Sequence, residues 1–334
     1  MSGDRVLVVG TTRDYIEYLD RARPGRIVFL TDPSEYRDLP DEADGPLQIL
    51  SPLSETERVI DELESFLYDK GISLSGIACF DCESLVLAAT LAARHKLPFP
   101  SVQAVLNCRD KSRSKMFWTR EGIPCPRAAK AGTAAQAADF FDTLEGPAIL
   151  KPATLSGSEA IFRCDSRDQV LEAFDRISDR LKALLEDPAS DRDGLMEDSV
   201  LCEEYIEGPE YSCDFVRTDG PPAIIRLARK YLDDNGPPGT ATAYEVPSRD
   251  LPVPEEVFIS ILDAAVRSLG LERCMGMADF IIRDSLPYFL EITPRPGGDC
   301  LPPLIRASSG FDILTAAIDF SEGGRFVVPP AAEW

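Results

Sequence analysis

Residues 276–299, GMADFIIRDSLPYFLEITPRPGGD, decide how the rest of the chain is read. They read as two strands around a turn, then a loop rich in proline and glycine. The first strand carries Asp279 among Ala278, Phe280, Ile281 and Ile282; the second carries Glu291 among Phe289, Leu290 and Ile292. A carboxylate inside an apolar strand is costly unless something pairs with it. Two of them in one hairpin suggest a cation. An odd loop, Asp284 to Leu286, sets Arg283 opposite Pro287 and Asp279 opposite Glu291. Directly opposed residues of an antiparallel pair project to one face. That makes a two-carboxylate site for a hard ion such as Mg2+, which binds one or two carboxylates plus substrate phosphates. An even loop puts the two acids on opposite faces. The competing reading is a pair of strand-end carboxylates facing solvent.

The chain has 334 residues, enough for two or three domains, and its 44% hydrophobic content is ordinary for a protein with a real core. Lys and Arg total 35 against 57 Asp and Glu, a formal charge of −22. Such acidity gives no footprint for a nucleic-acid backbone and is repelled by anionic membranes, so neither is an expected partner. The start, MSGDRVLVVG, shows no signal peptide and no membrane span is visible, which predicts a cytoplasmic protein. Nine scattered cysteines predict reduced, mostly buried thiols. Cys79 and Cys82 form one CxxC, readable as a redox pair or as two small residues at a strand-to-helix junction. The single histidine, His95, makes a Ser-His-Asp triad improbable. Chemistry falls to carboxylates, lysines, arginines and a metal.

Apolar runs at 4–10, 26–32, 47–50 and 76–80 alternate with helical spacing at 14–22, 55–69 and 83–94. This predicts a parallel sheet with crossovers. Gly10-Thr-Thr-Arg after the first run is not a dinucleotide fingerprint. Residues 97–109 read as a connection and 110–121 as a helix, with Lys111 and Lys115 on one face, a pattern usual for solvent-exposed lysines. Residues 147–164 read as a hairpin whose small-residue loop, Thr154 to Ser158, lets backbone N–H groups approach phosphate oxygens, with Lys151 at its entry. Strand material follows at 200–216 and 226–247, a helix at 254–269, and mainly helix after 301.

Together DKSRSK (110–115), ILKPATLSGSEA (149–160), CEEYIEGPEYS (202–212), RKYL (229–232) and the opening stretch resemble the ATP-grasp superfamily over about residues 107–320. RDKSRSKMFW and KYLDD look like D-alanine–D-alanine ligases; ITPRPGG is closer to carbamoyl-phosphate synthetase-like ligases and biotin carboxylases. The resemblance implies an α/β fold, α+β in the lid. An N-terminal Rossmann-like parallel-sheet domain (1–107) would be followed by a central lid subdomain (108–200) and a C-terminal antiparallel-sheet subdomain (201–334).

It also implies roles. Lys111 and Lys151 would bind the α- and β-phosphates of ATP, with Ser156, Gly157 and Ser158 closing over them. Glu203 would accept from the adenine amino group, the backbone at Glu204 and Ile206 would complete adenine recognition, and Glu210 would hold the ribose. Lys230 would reach the phosphates, and Arg295 would steady an acyl phosphate and the tetrahedral intermediate. Asp279 and Glu291 match the ligands of Mg2+ or Mn2+. Thr293 stands where the family usually has Asn, a shorter neutral ligand for a second ion. The activity implied is ATP-dependent ligation of a small-molecule carboxylate, an amino acid above all, to an amine, with a homodimer as the common assembly. Alternatives are a bicarbonate-activating carboxylase-like enzyme, an ATP-binding regulatory protein without turnover, and a redox protein using Cys79 and Cys82. Tyr244, Arg249 and Arg306 are candidates for substrate carboxylates.

Overall fold

The computed structural model describes residues 4–36, 45–155, 160–186, 194–233, 236, 238–247, 251–324 and 327–328. Its first unit contains β1 (Asp4–Val9), α1 (Arg13–Ala22), β2 (Ile27–Thr31), β3 (Gln48–Leu50), α2 (Thr56–Lys70), β4 (Ser73–Cys79) and α3 (Leu85–His95). The strands form a parallel sheet of order β3-β2-β1-β4. Both faces are covered, as the unbroken apolar runs require. Leu7, Val9, Val28 and Leu30 pack on α2 and α3, while Val6, Val8 and Phe29 face the other way onto α1.

The region expected to be only a connection contains a helix, α4 (Val102–Arg109), directly followed by α5 (Lys111–Arg120). Ser101 caps α4 by accepting from Ala104 N, and Asp110 caps α5 by accepting from Ser112 N and Arg113 N. Asp110 itself is extended, so the two helices break there. Next come β5 (Ala128–Ala131), α6 (Ala134–Phe141), β6 (Ala148–Pro152), β7 (Phe162–Cys164), α7 (Arg167–Leu185) and β8 (Val200–Glu204). Their antiparallel sheet, β5-β8-β6-β7, buries Leu150, Cys202 and Val200 against Ala137, Val170 and Ile177 of the two helices.

The third sheet has the order β11-β10-β9-β12-β13, antiparallel throughout, from β9 (Glu210–Arg217), β10 (Ala223–Leu232), β11 (Ala241–Glu245), β12 (Cys274–Arg283) and β13 (Leu286–Thr293). One face packs Tyr211, Phe215, Phe280 and Phe289 on α8 (Glu255–Ser268) and on Trp118 of α5. Two last helices, α9 (Leu301–Ser309) and α10 (Ile313–Ser321), return to the first sheet, where Leu314, Ala317 and Ile318 join Val6, Val8 and Phe29. Val216, Ile225 and Met275 of the third sheet share that core, which fixes the first and third sheets against each other. No helix among the described residues is long and apolar enough to cross a membrane.

The hairpin register corrects the expected loop. Arg283 pairs with Leu286, not Pro287, across a two-residue turn in which Asp284 and Ser285 both have positive φ (52° and 58°). The register then shifts between Asp279 and Phe280, because Leu290 is an extra residue on β13. This β-bulge restores the pairing of Asp279 with Glu291. The even loop therefore does not separate the acids.

Candidate active site

A cleft of about 1880 Å3 opens between the three sheets. Its floor is the face of the third sheet opposite the aromatic core. Period-two alternation sends Ala278, Phe280 and Ile282 into that core and leaves Asp279 on the cleft side. Along β9, Tyr211, Cys213 and Phe215 likewise go inward, while Glu210 and Ser212 line the cleft. Cross-strand pairing then aligns Lys230 with Glu210, Ser212 with Asp279, and Asp279 with Glu291. Four adjacent strands thus deliver one polar row.

Lys230 Nζ lies 2.9 Å from Glu210 Oε1 and 2.5 Å from Asp279 Oδ2. Burial works against its charge, but Asp279 and then Glu210 outweigh it and raise the lysine above its ordinary range. Burial raises Glu210, with Lys230 acting the other way. Asp279 Oδ1 is buried and has no hydrogen-bond partner. Glu291 faces Lys111 Nζ at 3.5 Å. Burial pushes its carboxyl up, but Lys111, Lys230, Lys151 and Arg295 together hold it down to about 2.

No group of three or more His, Cys, Asp or Glu among the described residues is arranged to hold a metal. The donor set is two opposed carboxylates with one orphaned oxygen. That set fits a hard divalent ion completed by phosphates and water rather than an all-protein cage. Thr293 is buried at the end of β13, opposite Met277, and is not among the cleft-lining residues.

The middle sheet forms the roof. Lys151 on β6 reaches Glu203 Oε2 on β8 at 2.7 Å. Lys115 lies 3.3 Å from Glu203 Oε1, which nevertheless accepts no hydrogen bond and is free to accept one. Lys115 is buried, against the expectation of an exposed lysine. Its Nζ donates to Leu290 O, and to Phe289 O at 3.2 Å, carbonyls at the bulge, and lies 5.1 Å from the Trp118 ring centroid. Burial lowers Lys115 while Glu203 raises it; Glu203, penalised by burial, is held below its ordinary range by Lys115 and then Lys151. Glu204 and Ile206 line the cleft beside Glu203, and Arg283 Nη1 sits 3.0 Å from Glu204 Oε1.

Lys111 opens α5. Its backbone N–H donates to Ala153 O at 3.0 Å and its Nζ to Leu155 O at 2.7 Å, so it ties the entry of the small-residue loop to Glu291. Ser156, Gly157 and Ser158 lie outside the described residues, as does Arg249. Tyr244 lines the cleft, whereas Arg306 does not; its guanidinium sits over the Tyr18 ring at 4.8 Å.

Arg295 lines the far end of the cleft. Its Nε and Nη2 donate to Cys82 Sγ at 3.1 and 2.9 Å, and its Nη1 to Pro296 O at 2.7 Å. The loop carrying it is anchored by residues the sequence reading passed over. Gly297 N donates to Asp214 Oδ1 at 2.7 Å, and Asp214 pairs with Arg226. Asp214 in YSCDFV is a carboxylate within an apolar strand, the same signal that singled out Asp279. Cys79 donates separately to Asp81 O at 3.0 Å. Burial raises both Cys79 and Cys82, which leaves no ready thiolate for disulfide chemistry.

An ATP-grasp domain model matches residues 144–303. D-alanine–D-alanine ligase of Acidovorax ebreus (strain TPSY) is 31% identical over 249 residues, covering 67% of this chain and 68% of that one. D-alanine–D-alanine ligase of Verminephrobacter eiseniae (strain EF01-2) is 28% identical over 242 residues, covering 67% and 66%. The chain thus spans about two thirds of the length of these relatives. The crystal structure of L-amino acid ligase from Bacillus licheniformis has the same fold, with a TM-score of 0.76 at 18% identity over 100% of this chain and 77% of that one. The three-sheet architecture, the cleft between the sheets and these likenesses agree: the chain belongs to the ATP-grasp superfamily of ATP-dependent carboxylate–amine ligases.

Proposed function

We propose that this chain joins a small-molecule carboxylate, an amino acid, to an amine through an acyl phosphate, releasing ADP and phosphate. The observation that carries this reading is the polar row. Lys230 contacts Asp279 and Lys111 faces Glu291 across the row, while Lys151, paired with Glu203, lines the same cleft and helps hold the Glu291 carboxyl down. A carboxylate oxygen attacks the γ-phosphorus of ATP, the new O–P bond forms, and the bond to the β-phosphate oxygen breaks. Both reactants are anionic, so the protein's task is positioning and charge compensation. The three lysines supply cations along the polyphosphate. Asp279 Oδ1 and Glu291 would hold Mg2+ or Mn2+, which supplies charge neutralisation on the phosphates when bound.

Glu203 Oε1, which accepts no hydrogen bond, would accept from the adenine amino group, and Glu210, on the cleft face of β9, would hold the ribose. In the second half-reaction the amine nitrogen bonds to the carbonyl carbon, phosphate leaves with the electron pair of the C–O bond, and the nitrogen gives up its proton. Arg295 would stabilise the developing oxyanion, a contribution of about 3 kcal/mol for a donor of this kind. The test is product analysis with ATP, Mg2+ and a mixed amino-acid pool. ADP and phosphate should rise only with a complete substrate pair and vanish in Asp279→Ala and Glu291→Ala. AMP and pyrophosphate would instead mean adenylation and overturn the mechanism.

A further inference from the structure

Cys79 and Cys82 form a CxxC whose two thiols turn apart. Cys79 donates into its own turn, to Asp81 O at 3.0 Å. Cys82 is buried in the wall of the cleft and receives Arg295, whose Nε and Nη2 donate to its Sγ at 3.1 and 2.9 Å. The contact runs from the turn between β4 and α3 to the loop after β13, so it joins the first sheet to the third beside the polar row.

Both sides of the contact are held. Asp81 accepts from Glu83 N and from Ser84 Oγ, each at 2.8 Å, which fixes the turn that carries Cys82. The end of β1 packs directly on that turn: a Cβ at Gly10 would stand 2.2 Å from Ser84 Oγ. On the other side, Pro294 and Pro296 restrict the backbone around Arg295, and Gly297 N donates to Asp214 Oδ1 at 2.7 Å. The Asp214 anchor sets where the backbone of Arg295 runs. It does not set where a long side chain with many rotamers points. Cys82 supplies that second constraint.

A guanidinium has five N–H donors in a fixed plane. Cys82 takes one from Nε and one from Nη2, and Pro296 O takes a third from Nη1 at 2.7 Å. Among the described residues, one donor then remains on each terminal nitrogen, and the plane of the group is set. The type of acceptor matters as well. A carboxylate in the same place would hold the arginine more strongly but would cancel its charge. A thiol is a weak, neutral acceptor. Burial raises Cys82 above its ordinary value, with Arg295 acting against that, so the thiol keeps its proton at neutral pH. The cation is oriented without being neutralised.

We propose that Cys82 is a positioning residue for Arg295: its sulfur fixes the plane of the guanidinium in the cleft and leaves the positive charge for an anion. The identity of that anion, an acyl phosphate and the oxyanion that follows it, rests on the carboxylate–amine ligase reading. The positioning itself rests on the contact. It gives the CxxC a use that needs neither a disulfide nor electron transfer.

The experiment uses the full chain. ADP release is measured with ATP, Mg2+ and the amino-acid pool, and inorganic phosphate is titrated calorimetrically into the chain saturated with Mg2+ and ADP. Cys82→Ala and Cys82→Val both remove the acceptor, the second while filling the space. Each should lower kcat about tenfold with the KM for ATP unchanged, and weaken phosphate about tenfold with ADP affinity unchanged, the scale of one misdirected charge-assisted contact. Cys82→Ser keeps an acceptor and should recover most of both losses. Cys79→Ala, at the thiol turned away, should stay near wild type. A merely structural role would lower stability without splitting kcat from KM. Unchanged kcat in both acceptor-free variants, or an equal loss in Cys79→Ala, overturns the proposal and leaves the ligase reading standing. A wild type that releases no ADP yet binds phosphate more tightly than the acceptor-free variants would sink the ligase reading and leave the role of Cys82 standing. A wild type that neither releases ADP nor binds phosphate overturns both.

Discussion

The guanidinium Nε of Arg226 lies 2.5 Å from the carboxylate of Asp214, and both side chains are wholly buried. Arg226 also donates to Ser212 O and Oγ, at 3.1 and 3.3 Å, while the second oxygen of Asp214 accepts from Gly297 N. The pair joins β9, β10 and the loop that presents Arg295. Replacing Asp214 with Ala leaves a guanidinium without its counter-charge in the interior, expected to cost about 3–5 kcal/mol. Asp214→Asn keeps an acceptor for Gly297 and should cost less. Denaturant titration of the two variants checks the order; equal midpoints for Asp214→Ala and wild type would refute it.

Lys115 tests the roof of the cleft. It joins α5 to the bulge carbonyls of β13 and balances Glu203 together with Lys151. Lys115→Met fills similar volume but removes the charge and the donor. A stability loss of about 2–4 kcal/mol is expected, since buried partners are left unsatisfied. Nucleotide affinity should fall with it, because Glu203 then has one lysine instead of two. Calorimetric titration with ADP on the folded variant separates the two effects. Unchanged affinity would show that Lys115 serves the fold alone.

Much of this arrangement can be read from the sequence, and the exceptions have physical causes. Alternating apolar runs locate the first sheet because a covered parallel strand has no polar face to hide the signal. Asp279 and Glu291 stand out because charged residues are conspicuous in apolar strands. Their pairing follows from an odd loop on paper, yet the structure reaches it through an even turn and a bulge at Leu290. Two shifts of one residue compensate, and a bulge has no mark in the sequence here beyond one more apolar residue. Lys115 is obscure for a different reason. An i, i+4 lysine pair looks solvated until Glu203, 88 positions later in sequence, is brought beside it. The short α4 is hidden by its length, eight residues ended by the extended Asp110.

Asp81 gives a pH signature. Its folded pKa, about 7, lies above the ordinary carboxylate value because of burial and Glu83. The folded chain therefore binds the extra proton that an unfolded carboxyl releases near pH ~4. The stability from that proton is fully present below pH ~4 and is lost as pH rises through about 7. Asp81→Asn should remove this component, so the stability of wild type relative to the variant should decline between those limits. Thermal midpoints of both proteins across that range decide it; parallel curves would rule out the raised carboxyl.

Gly297→Ala asks whether the Asp214 anchor sets the position of Arg295. A Cβ at Gly297 would stand 3.0 Å from Arg226 Nη2, 3.1 Å from Leu301 Cδ1 and 3.3 Å from Asp214 Oδ1. The first and third of these belong to the buried ion pair and cannot retreat far, so the loop itself must give. Its backbone φ is not in the left-handed region, so alanine meets a packing obstacle rather than a conformational one. A displacement of a few tenths of an ångström should cost about 1–2 kcal/mol of stability, as overpacking does. It should also move Arg295 relative to the row of Asp279 and Glu291. With ADP release as the assay, kcat should fall by roughly tenfold while the KM for ATP stays near wild type, because misplacement of a charge-stabilising group acts on the transition state more than on nucleotide binding. A raised KM for ATP with kcat intact would detach the Asp214 anchor from the chemistry and assign it to nucleotide binding.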